Sequence, residues 1–353
     1  MCADLDFRLL IVRLGAMGDI LHAMPAVTAL RKAHPDWTIG WAVEPRWQGL
    51  LRAPTASAER NAAMPLVDRV HLIDPKQWGR QPLHLSTLRD LGRVRRELKA
   101  EHYDVCVDLQ GAVRSAILGR WAGASRMIGE AEPRERAARW FFGERAATTG
   151  RHVIEQAGEV LETVAGDELP ITPPLLPRDA AAEVWVDGLL SGRVGVPLAI
   201  INPGAGWGAK RWPAERYGLV ARELAARGIG VVVNIGPDDV ELGEQLVSAS
   251  EGTAVAVNPT LGELIELTRK SSLLIAGDTG PLHLACALGK PVVGIFGPTD
   301  PARNGPFGCE FRVLRHPESK RDHSRRSEPE AGLLTITPEE VVAAAEELLK
   351  EQV

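Results

Sequence analysis

The segment 277–285 combines residue types that together suit a bound anion. It follows an apolar run, 272–276, which predicts a buried parallel strand, and the apolar stretch after it predicts a helix. Thr279 and Gly280 stand in the turn, so free backbone N–H groups and the positive end of the helix dipole point at one place. His283 adds an imidazole. The pattern predicts a diphosphate site at the carboxyl edge of an α/β sheet, with an ordinary Gly-rich tight turn as the alternative.

A second Gly-rich loop, 203–213, follows another apolar run. Its glycines, Gly206 among them, let a ligand approach the backbone closely, and Lys210 and Arg211 bring positive charge to the same loop. The spacing does not match the phosphate loop of nucleoside triphosphatases, so that class is excluded. The alternative is a surface loop with two solvated cations. Both loops follow strands of one half of the chain, which favours a shared ligand edge.

The turn 14–22 after the first predicted strand contains a carboxylate, Asp19. Gly15 and Gly18 suit a tight strand-to-helix turn, but their spacing is not the dinucleotide-binding fingerprint. Asp19 near a helix start is either a cap and dipole partner or a general base at the carboxyl edge of the sheet, facing a cleft between domains.

A carboxylate in the loop 235–241, Glu241, suits ribose hydroxyls, and a solvated turn is an equally good interpretation. The sequence has no His/Cys cluster with the spacing of metal ligands, so we expect no metal and no other cofactor. A diphosphate would then be neutralised by Lys210, Arg211 and helix N-termini.

Basic residues in the first half provide candidates for an anionic acceptor. Arginines surround the aromatic residues 140–142 within 134–151, which suits an anionic lipid surface or a phosphorylated sugar. The alternative is a helix with a solvated basic face and a buried aromatic face. The candidate acceptor residues are Lys76, Arg80, Arg114 and Arg134.

The elements that must position these residues alternate between strand and helix patterns, which predicts an α/β fold with parallel sheets. A length of 353 residues favours two domains, and the Pro-rich stretch 169–177 marks their boundary. We place the domains at 1–172 and 173–335, followed by a final helix in 336–353 whose N-cap is Thr337. The charged stretch 316–330 predicts an exposed loop. The predicted strands are 8–14, 38–43, 70–73, 104–109, 198–202, 230–235, 254–257, 273–276 and 292–296, and the clearest helices are 20–33, 88–100 and 338–352.

Composition limits the classes of partner. The net charge of -5 gives no general attraction to nucleic acid, so no nucleic-acid partner is expected. The four cysteines, Cys2, Cys106, Cys286 and Cys309, are scattered, which favours free thiols in a reducing compartment. The N-terminus does not have the pattern of a signal peptide, and no apolar run approaches the ~20 residues that span a bilayer. We therefore expect a cytosolic protein or one on a membrane surface.

The turn at 9–22, the loop 204–213 and the turn 278–284, in that order, resemble the bacterial ADP-heptose:lipopolysaccharide heptosyltransferases, glycosyltransferase family 9. The resemblance implies a GT-B architecture of two facing Rossmann-like domains, with a last helix that returns to the first domain. It implies inverting, metal-independent transfer of L-glycero-D-manno-heptose from ADP-heptose to Kdo-lipid A, at the cytoplasmic face of the inner membrane.

The resemblance also implies residue roles. Asp19 matches the catalytic base, Lys210 the cation at the leaving diphosphate, and Asp278 the carboxylate that meets the heptose. The remaining donor-side matches are Thr279 and Gly280 at the phosphates, Glu241 at the ribose, His283 lining the site, and Gly206 and Arg211 in the Gly-rich loop.

The acceptor stays open at this stage. The segment 108–116 most resembles the members that add the first heptose, to Kdo-lipid A, whereas the loop 204–208 lacks their Thr-rich pattern and leans toward members with later acceptors. Another GT-B nucleotide-sugar transferase or epimerase, a non-catalytic binder and a Rossmann oxidoreductase are the alternatives. The missing dinucleotide fingerprint counts against the oxidoreductase.

Overall fold

The computed structural model describes residues 7–351, apart from residues 58, 194, 238, 323 and 325. The chain divides into two compact units, Met1–Arg178 and Asp179–Val353, each built on one six-stranded sheet. The division comes slightly later than the predicted boundary. Within the described ranges, no helix is both long and apolar enough to cross a membrane.

The described residues of the first unit form six strands and five α-helices. The strands are β1 (Arg8–Val12), β2 (Thr38–Val43), β3 (Arg69–Leu72), β4 (Val105–Asp108), β5 (Arg126–Glu130) and β6 (Glu144–Ala146). The helices are α1 (Met17–Ala33), α2 (Pro75–Arg80), α3 (Leu85–Ala100), α4 (Val113–Trp121) and α5 (Val153–Ala165), with 3₁₀ helices at Pro45–Leu50 and Arg136–Phe141. The strand order is β3-β2-β1-β4-β5-β6, and each neighbouring pair is parallel.

The second unit repeats this plan. Its strands are β7 (Leu198–Asn202), β8 (Gly230–Asn234), β9 (Ala254–Val257), β10 (Leu273–Gly277), β11 (Val292–Phe296) and β12 (Phe311–Arg315). Its helices are α6 (Ala180–Leu189), α7 (Ala214–Ala226), α8 (Val240–Ala249), α9 (Leu261–Lys270), α10 (Gly280–Ala287), α11 (Pro301–Asn304) and α12 (Pro338–Lys350), with 3₁₀ helices at Gly208–Lys210 and Leu333–Thr335. The order is β12-β11-β10-β7-β8-β9, again parallel throughout.

The central strands carry the core because helices cover both of their faces. Successive residues of β1 and β10 are buried whichever way they point, as expected for strands in the middle of a parallel sheet. The predicted α/β class is therefore confirmed. The strands that the sequence did not predict, β5, β6 and β12, are short or carry charged residues, and they lie at or next to a sheet edge.

The last helix, α12, packs on α7 and on the second sheet. The return of this helix to the first unit, which the resemblance implies, stays a prediction. Its buried stripe of Val341, Ala345 and Leu348 recurs at helical spacing and joins the core formed by α7 and the second sheet. The predicted cap is confirmed, since the N–H of Glu340 donates to Oγ1 of Thr337 at 3.3 Å. The predicted end of this helix at residue 352 lies outside the described residues.

The Pro-rich stretch 169–177 is part of the first unit. Leu169 and Leu176 are buried, and the N–H of Leu175 donates to Oγ1 of Thr28 at 3.2 Å. These contacts explain why the division falls after the stretch and not inside it.

The described cysteines are thiols, in agreement with the sequence. Cys106 and Cys286 are buried and Cys309 is partly buried, and none of the three is in a disulfide. Cys2 lies outside the described residues.

A close contact in the first core gives a stability prediction. A Cβ on Gly40 would lie 1.9 Å from Oη of Tyr103, which also hydrogen-bonds Nε2 of His71 at 2.7 Å. Gly40→Ala should therefore lower the free energy of unfolding by roughly 1–3 kcal/mol, because the ring must move and its hydrogen bond is strained. Urea unfolding followed by circular dichroism measures the change.

The control is Gly158→Ala in α5, where a Cβ meets no atom within 4 Å. This change should raise stability by about 0.5–1 kcal/mol through helix propensity. Equal stabilities for wild type and Gly40→Ala would contradict the packing described for Tyr103.

Candidate active site

Three of the predicted site residues, Asp19, Lys210 and Asp278, lie at the point in each sheet where the strand order reverses. In the second sheet β7 lies between β8 and β10, so the loops that follow β7 and β10 leave the same edge side by side. In the first sheet β1 lies between β2 and β4 in the same way. Ligands of open α/β sheets bind at such reversal points, beyond the carboxyl ends of the strands.

Lys210 and Asp278 form the central contact of the second unit. Nζ of Lys210 lies 2.5 Å from Oδ2 of Asp278 and 3.4 Å from its backbone carbonyl oxygen. Nε2 of His283 lies 3.2 Å from Oδ1 of the same carboxylate. The exposed fractions of the three side chains are 11% for Lys210, 9% for Asp278 and 6% for His283. The structure thus brings together three residues that the sequence assigned to one site.

The charge state of Asp278 follows from these contacts. Burial alone would raise the pKa of this carboxyl, but the hydrogen bond with His283 and the positive charge of Lys210 outweigh it and hold the pKa well below its ordinary value. Asp278 is therefore an anion at neutral pH, and it holds the Lys210 amine at the edge of the sheet.

The turn at the start of α10 has the donors that an anion needs. Thr279 is the N-cap residue of α10, but its side chain makes no capping hydrogen bond and Oγ1 faces the carbonyl of Gly277 at 3.3 Å. Gly280 begins the helix. The N-terminus of α10 thus lies directly beside Asp278, where a phosphate would accept hydrogen bonds from the backbone.

The Gly-rich loop after β7 is held in place by the stretch 316–330. The N–H of Ala209 donates to the carbonyl of Arg326 at 3.1 Å, and a Cβ on Gly208 would lie 1.7 Å from the carbonyl oxygen of Ser327. This stretch, predicted as an exposed loop, is thus partly packed against the site. Gly206 is exposed, and a Cβ there would meet open space, which leaves room for a ligand.

An aromatic ring also contacts the lysine. Nζ of Lys210 lies 4.2 Å from the centroid of the Trp207 ring, within the range of a cation–π interaction. Trp207 is part of the Gly-rich loop, so this loop supplies both the cation and one of the groups that fix its position.

A second carboxylate that contacts the Gly-rich loop is that of Asp239, which the sequence analysis did not single out. Nη2 of Arg211 lies 3.4 Å from Oδ1 of Asp239, and a Cβ on Gly204 would lie 2.5 Å from Oδ2. Gly204 therefore makes room for this carboxylate. Glu241, the predicted ribose ligand, is exposed in the first turn of α8, and its role stays a prediction.

In the first unit, Asp19 has the contacts of a helix-start residue, and its role as a general base stays a prediction. It is the third residue of α1, and its Oδ2 accepts a hydrogen bond from the N–H of Ala16 at 3.1 Å, as a helix-start residue does. Its Oδ1 lies 3.0 Å from Nη2 of Arg13. The side chain is nevertheless 40% exposed, so a substrate hydroxyl can reach it.

Arg13 links the turns after β1 and β4. One guanidinium nitrogen contacts Asp19 and the other donates to the carbonyl of Leu109. The neighbouring Asp108 is buried. It accepts hydrogen bonds from the N–H groups of Gln110 at 2.7 Å and Gly111 at 3.0 Å, and from the hydroxyl of Ser115 at 2.8 Å. The sequence analysis did not single out Arg13. The signal that could have found it is its position as a charged residue at the end of an apolar run.

The basic residues proposed to bind the acceptor lie in two places. Lys76 and Arg80 are in α2, and Arg114 and Arg134 are near the turn at Gly111. Nζ of Lys76 lies 3.8 Å from Oε2 of Glu44, a buried carboxylate at the end of β2 that the sequence analysis missed. Arg80 ends α2 and is exposed. Arg114 and Arg134 are also exposed, and both lie near the turn at Gly111, where a Cβ would come within 3.0 Å of the N–H of Arg134.

The alternative interpretation of residues 140–142 was that they form the buried aromatic face of a helix. The structure does not bury all three of them. They lie at and after the 3₁₀ helix Arg136–Phe141, where Phe142 is buried while Trp140 is 76% exposed. Phe141 is partly buried and packs against the core of the first unit, so Trp140 is the accessible one of these three residues.

Comparison with known proteins agrees with this arrangement. The sequence profile of glycosyltransferase family 9 (heptosyltransferase) matches residues 91–333. Lipopolysaccharide heptosyltransferase 1 of Pseudomonas aeruginosa is 26% identical over 85% of this chain and 81% of its own length. Lipooligosaccharide heptosyltransferase 2 of Haemophilus influenzae is 25% identical over 97% of this chain and 99% of its own. The structure of E. coli heptosyltransferase WaaC with ADP superposes with a TM-score of 0.79 at 24% identity, covering 97% of this chain and 100% of that one.

Two parallel sheets with polar residues at both reversal points, together with this superposition, define a two-domain enzyme fold of the GT-B class. The chain belongs to glycosyltransferase family 9, the heptosyltransferases.

The buried carboxylate beside Arg13 gives a prediction of pH dependence. Burial raises the pKa of Asp108 to about 6, against the hydrogen bonds from Ser115, Gly111 and Gln110 that favour the anion. Between the unfolded pKa near 3.8 and the folded pKa, the folded chain holds a proton that the unfolded chain has lost. This contribution should therefore make the free energy of unfolding fall as pH rises from about 4 to about 6, by on the order of 3 kcal/mol.

Asp108→Asn should remove this part of the pH dependence of the free energy of unfolding. It should do so even if the substitution also changes the stability by a constant amount at every pH. Urea unfolding at a series of pH values from 4 to 7 measures it, and Asp36→Asn, at an exposed site, is the matched control. If the free energies of unfolding of Asp108→Asn and the wild type change with pH in parallel, the assignment of a raised pKa to Asp108 is wrong.

Proposed function

We propose that the chain transfers L-glycero-D-manno-heptose from ADP-heptose to the Kdo-lipid A inner core of lipopolysaccharide, with inversion and without a metal. The observation that carries the proposal is the contact of Lys210 with Asp278 beside the N-terminus of α10, at the reversal point of the second sheet. The names of the relatives, among them lipopolysaccharide heptosyltransferase 1, support the sugar and the pathway.

The second unit binds the donor in this proposal. The diphosphate of ADP-heptose accepts hydrogen bonds from Thr279 and from the first turn of α10, and its charge is balanced by Lys210 and Arg211. Gly206 lets the loop backbone approach the phosphates, and Glu241 binds the ribose. Preorganised donors stabilise the negative charge that grows on ADP as the bond to the sugar breaks.

Asp278 meets the heptose in this proposal, and His283 holds the carboxylate in place through the contact described above. The low pKa of Asp278 keeps it ionised, so it accepts hydrogen bonds from sugar hydroxyls and does not act as a proton donor.

The first unit supplies the base. Asp19 takes the proton of the acceptor hydroxyl as that oxygen attacks the anomeric carbon, and ADP leaves from the opposite face of the sugar. Arg13 orients the Asp19 carboxylate from the turn after β1. The anionic acceptor is bound by exposed cations of the same unit, Lys76, Arg80, Arg114 and Arg134.

Because Kdo-lipid A is anchored in a membrane by its acyl chains, we propose that the protein works in the cytoplasm as a peripheral protein on the inner membrane. A later core heptose as the acceptor is the second candidate, because a relative named heptosyltransferase 2 matches over nearly the full chain and the loop 204–208 lacks the Thr-rich pattern. Side-by-side assays with Kdo-lipid A and with its heptosylated form separate the two.

Removal of Asp19 tests the proposed reaction. With ADP-heptose and Kdo-lipid A in EDTA, the wild type should release ADP only when acceptor is present, and Asp19→Ala should slow this release roughly 10²–10⁴-fold, the range for loss of a general base. A coupled assay for ADP measures both. Asp36→Ala removes an exposed carboxylate elsewhere in the first unit and should keep the wild-type rate.

Three results would change the proposal in different ways. Equal rates for Asp19→Ala and wild type would exclude Asp19 as the base. ADP release only after addition of a divalent cation would exclude the metal-independent mechanism. No release with either acceptor would point to another sugar nucleotide, which a screen of donors identifies.

A further inference from the structure

Three leucines of the first unit are exposed close together in the chain. The exposed fractions are 89% for Leu83, 66% for Leu85 and 52% for Leu88. Leu83 precedes α3, and the other two lie in its first turns. Isolated apolar residues on a surface are normal, but a cluster of large ones marks a binding surface. We call Leu83, Leu85 and Leu88 the leucine strip.

The packing of α3 explains why the strip is exposed. The buried residues of this helix are Thr87, Val94 and Leu98. Helical periodicity places Leu85 on the opposite side of the helix and Leu88 on its flank. The helix therefore uses one face for the core of the first unit and turns leucines outward at its start.

Cations continue the outward face of α3. Arg89, Arg96 and Lys99 share the helical face of Leu85 and Leu88 by their spacing, and all three are exposed. Within the part of the chain that the structure describes, Arg89 and Lys99 form no ion pair. Their charge is therefore available to an anionic partner.

We propose that the leucine strip docks on the surface of an anionic lipid bilayer. Leucines at one end of a helix and cations along the same face suit an interface, where apolar side chains enter the acyl boundary and long basic side chains reach the headgroup phosphates. The cations that border the strip favour an anionic bilayer over an apolar groove of another protein.

Helix α3, which carries the strip, is linked to the candidate active site through α2. The indole N–H of Trp78 in α2 donates to Oδ2 of Asp90 in α3 at 2.7 Å. Helix α2, which precedes the strip, contains Lys76 next to Glu44, and a Cβ on Gly15 would lie 3.6 Å from Cδ of Glu44. Gly15 belongs to the turn that carries Asp19. Docking through the strip would place the base near a lipid-anchored acceptor, and this consequence rests on the proposed function, whereas lipid binding itself does not.

Co-sedimentation with vesicles tests the proposal on the full chain. The wild type should bind vesicles of mixed phosphatidylglycerol and phosphatidylcholine and bind pure phosphatidylcholine poorly. The triple variant Leu83→Gln, Leu85→Gln, Leu88→Gln should lose at least about tenfold in the partition coefficient, because apolar burial is lost. The double variant Arg89→Gln, Lys99→Gln should bind less tightly and respond less to salt.

The matched control places the same substitution at exposed apolar residues elsewhere. Ile171, Val184 and Val240 are 54%, 72% and 53% exposed, and their triple change to Gln should leave vesicle binding at the wild-type level. Circular dichroism of all variants confirms that they are folded.

Several results would overturn the proposal. These are a wild type without preference for anionic vesicles, and a leucine-strip variant that binds as the wild type does. If Trp140→Ala loses vesicle binding and the leucine-strip variant does not, the lipid-binding surface lies at Trp140 and not at the strip. A wild-type dimer that the strip variant abolishes, seen by sedimentation without lipid, would make a second copy the occupant.

The vesicle assay contains neither donor nor acceptor, so its failure would leave the proposed transferase reaction untouched. Conversely, ADP release with an acceptor dispersed in detergent does not need a bilayer, and the strip variant should keep the wild-type rate in that assay. Loss of that rate in the folded variant would show that the strip serves the reaction directly, and would overturn its assignment to lipid docking.

Discussion

The buried pair of Lys210 and Asp278 is the contact on which the second unit's chemistry depends. It joins the loops after β7 and β10, which the parallel sheet places side by side at one edge. Because both side chains are largely buried, loss of either would leave an uncompensated charge, which is strongly unfavourable. The pair therefore fixes the amine beside the N-terminus of α10. A diphosphate bound there meets a cation and free backbone donors without any need to reorganise them.

The first unit uses a related arrangement for a different purpose. Arg13 and Asp19 also form a cation–carboxylate pair at the reversal point of a parallel sheet. The difference lies in burial, since the Asp19 side chain is 40% exposed and that of Asp278 only 9%. A buried carboxylate held by two partners suits the positioning of a sugar. An accessible carboxylate with one cationic partner suits the removal of a proton from a hydroxyl that arrives from solvent.

The sequence predicted the parts of this account that depend on local patterns. Strand-to-helix turns with glycine and a polar residue led to Asp278, Lys210 and Asp19, because such turns have a recognisable order of residues. The roles of these residues stay predictions, but their placement at the reversal points is what the turns implied.

Residues whose importance comes from partners distant in the chain escaped the sequence analysis. Glu44 follows an apolar strand as an ordinary charged residue, and only the fold brings Lys76 to it. Asp239 was overlooked in favour of Glu241 because the space that Gly204 leaves for it is visible only in three dimensions.

The most direct test of the central claim is the affinity of the chain for ADP, measured by titration calorimetry in EDTA for the wild type and for Lys210→Met. Lys290→Met, at the opposite edge of the second sheet, is the control because Lys290 precedes β11. The account predicts metal-free binding by the wild type and the control, and an affinity at least about tenfold lower for folded Lys210→Met, because a charge-assisted contact to the diphosphate is lost. Equal affinities for wild type and Lys210→Met, or binding that requires a divalent cation, would contradict it.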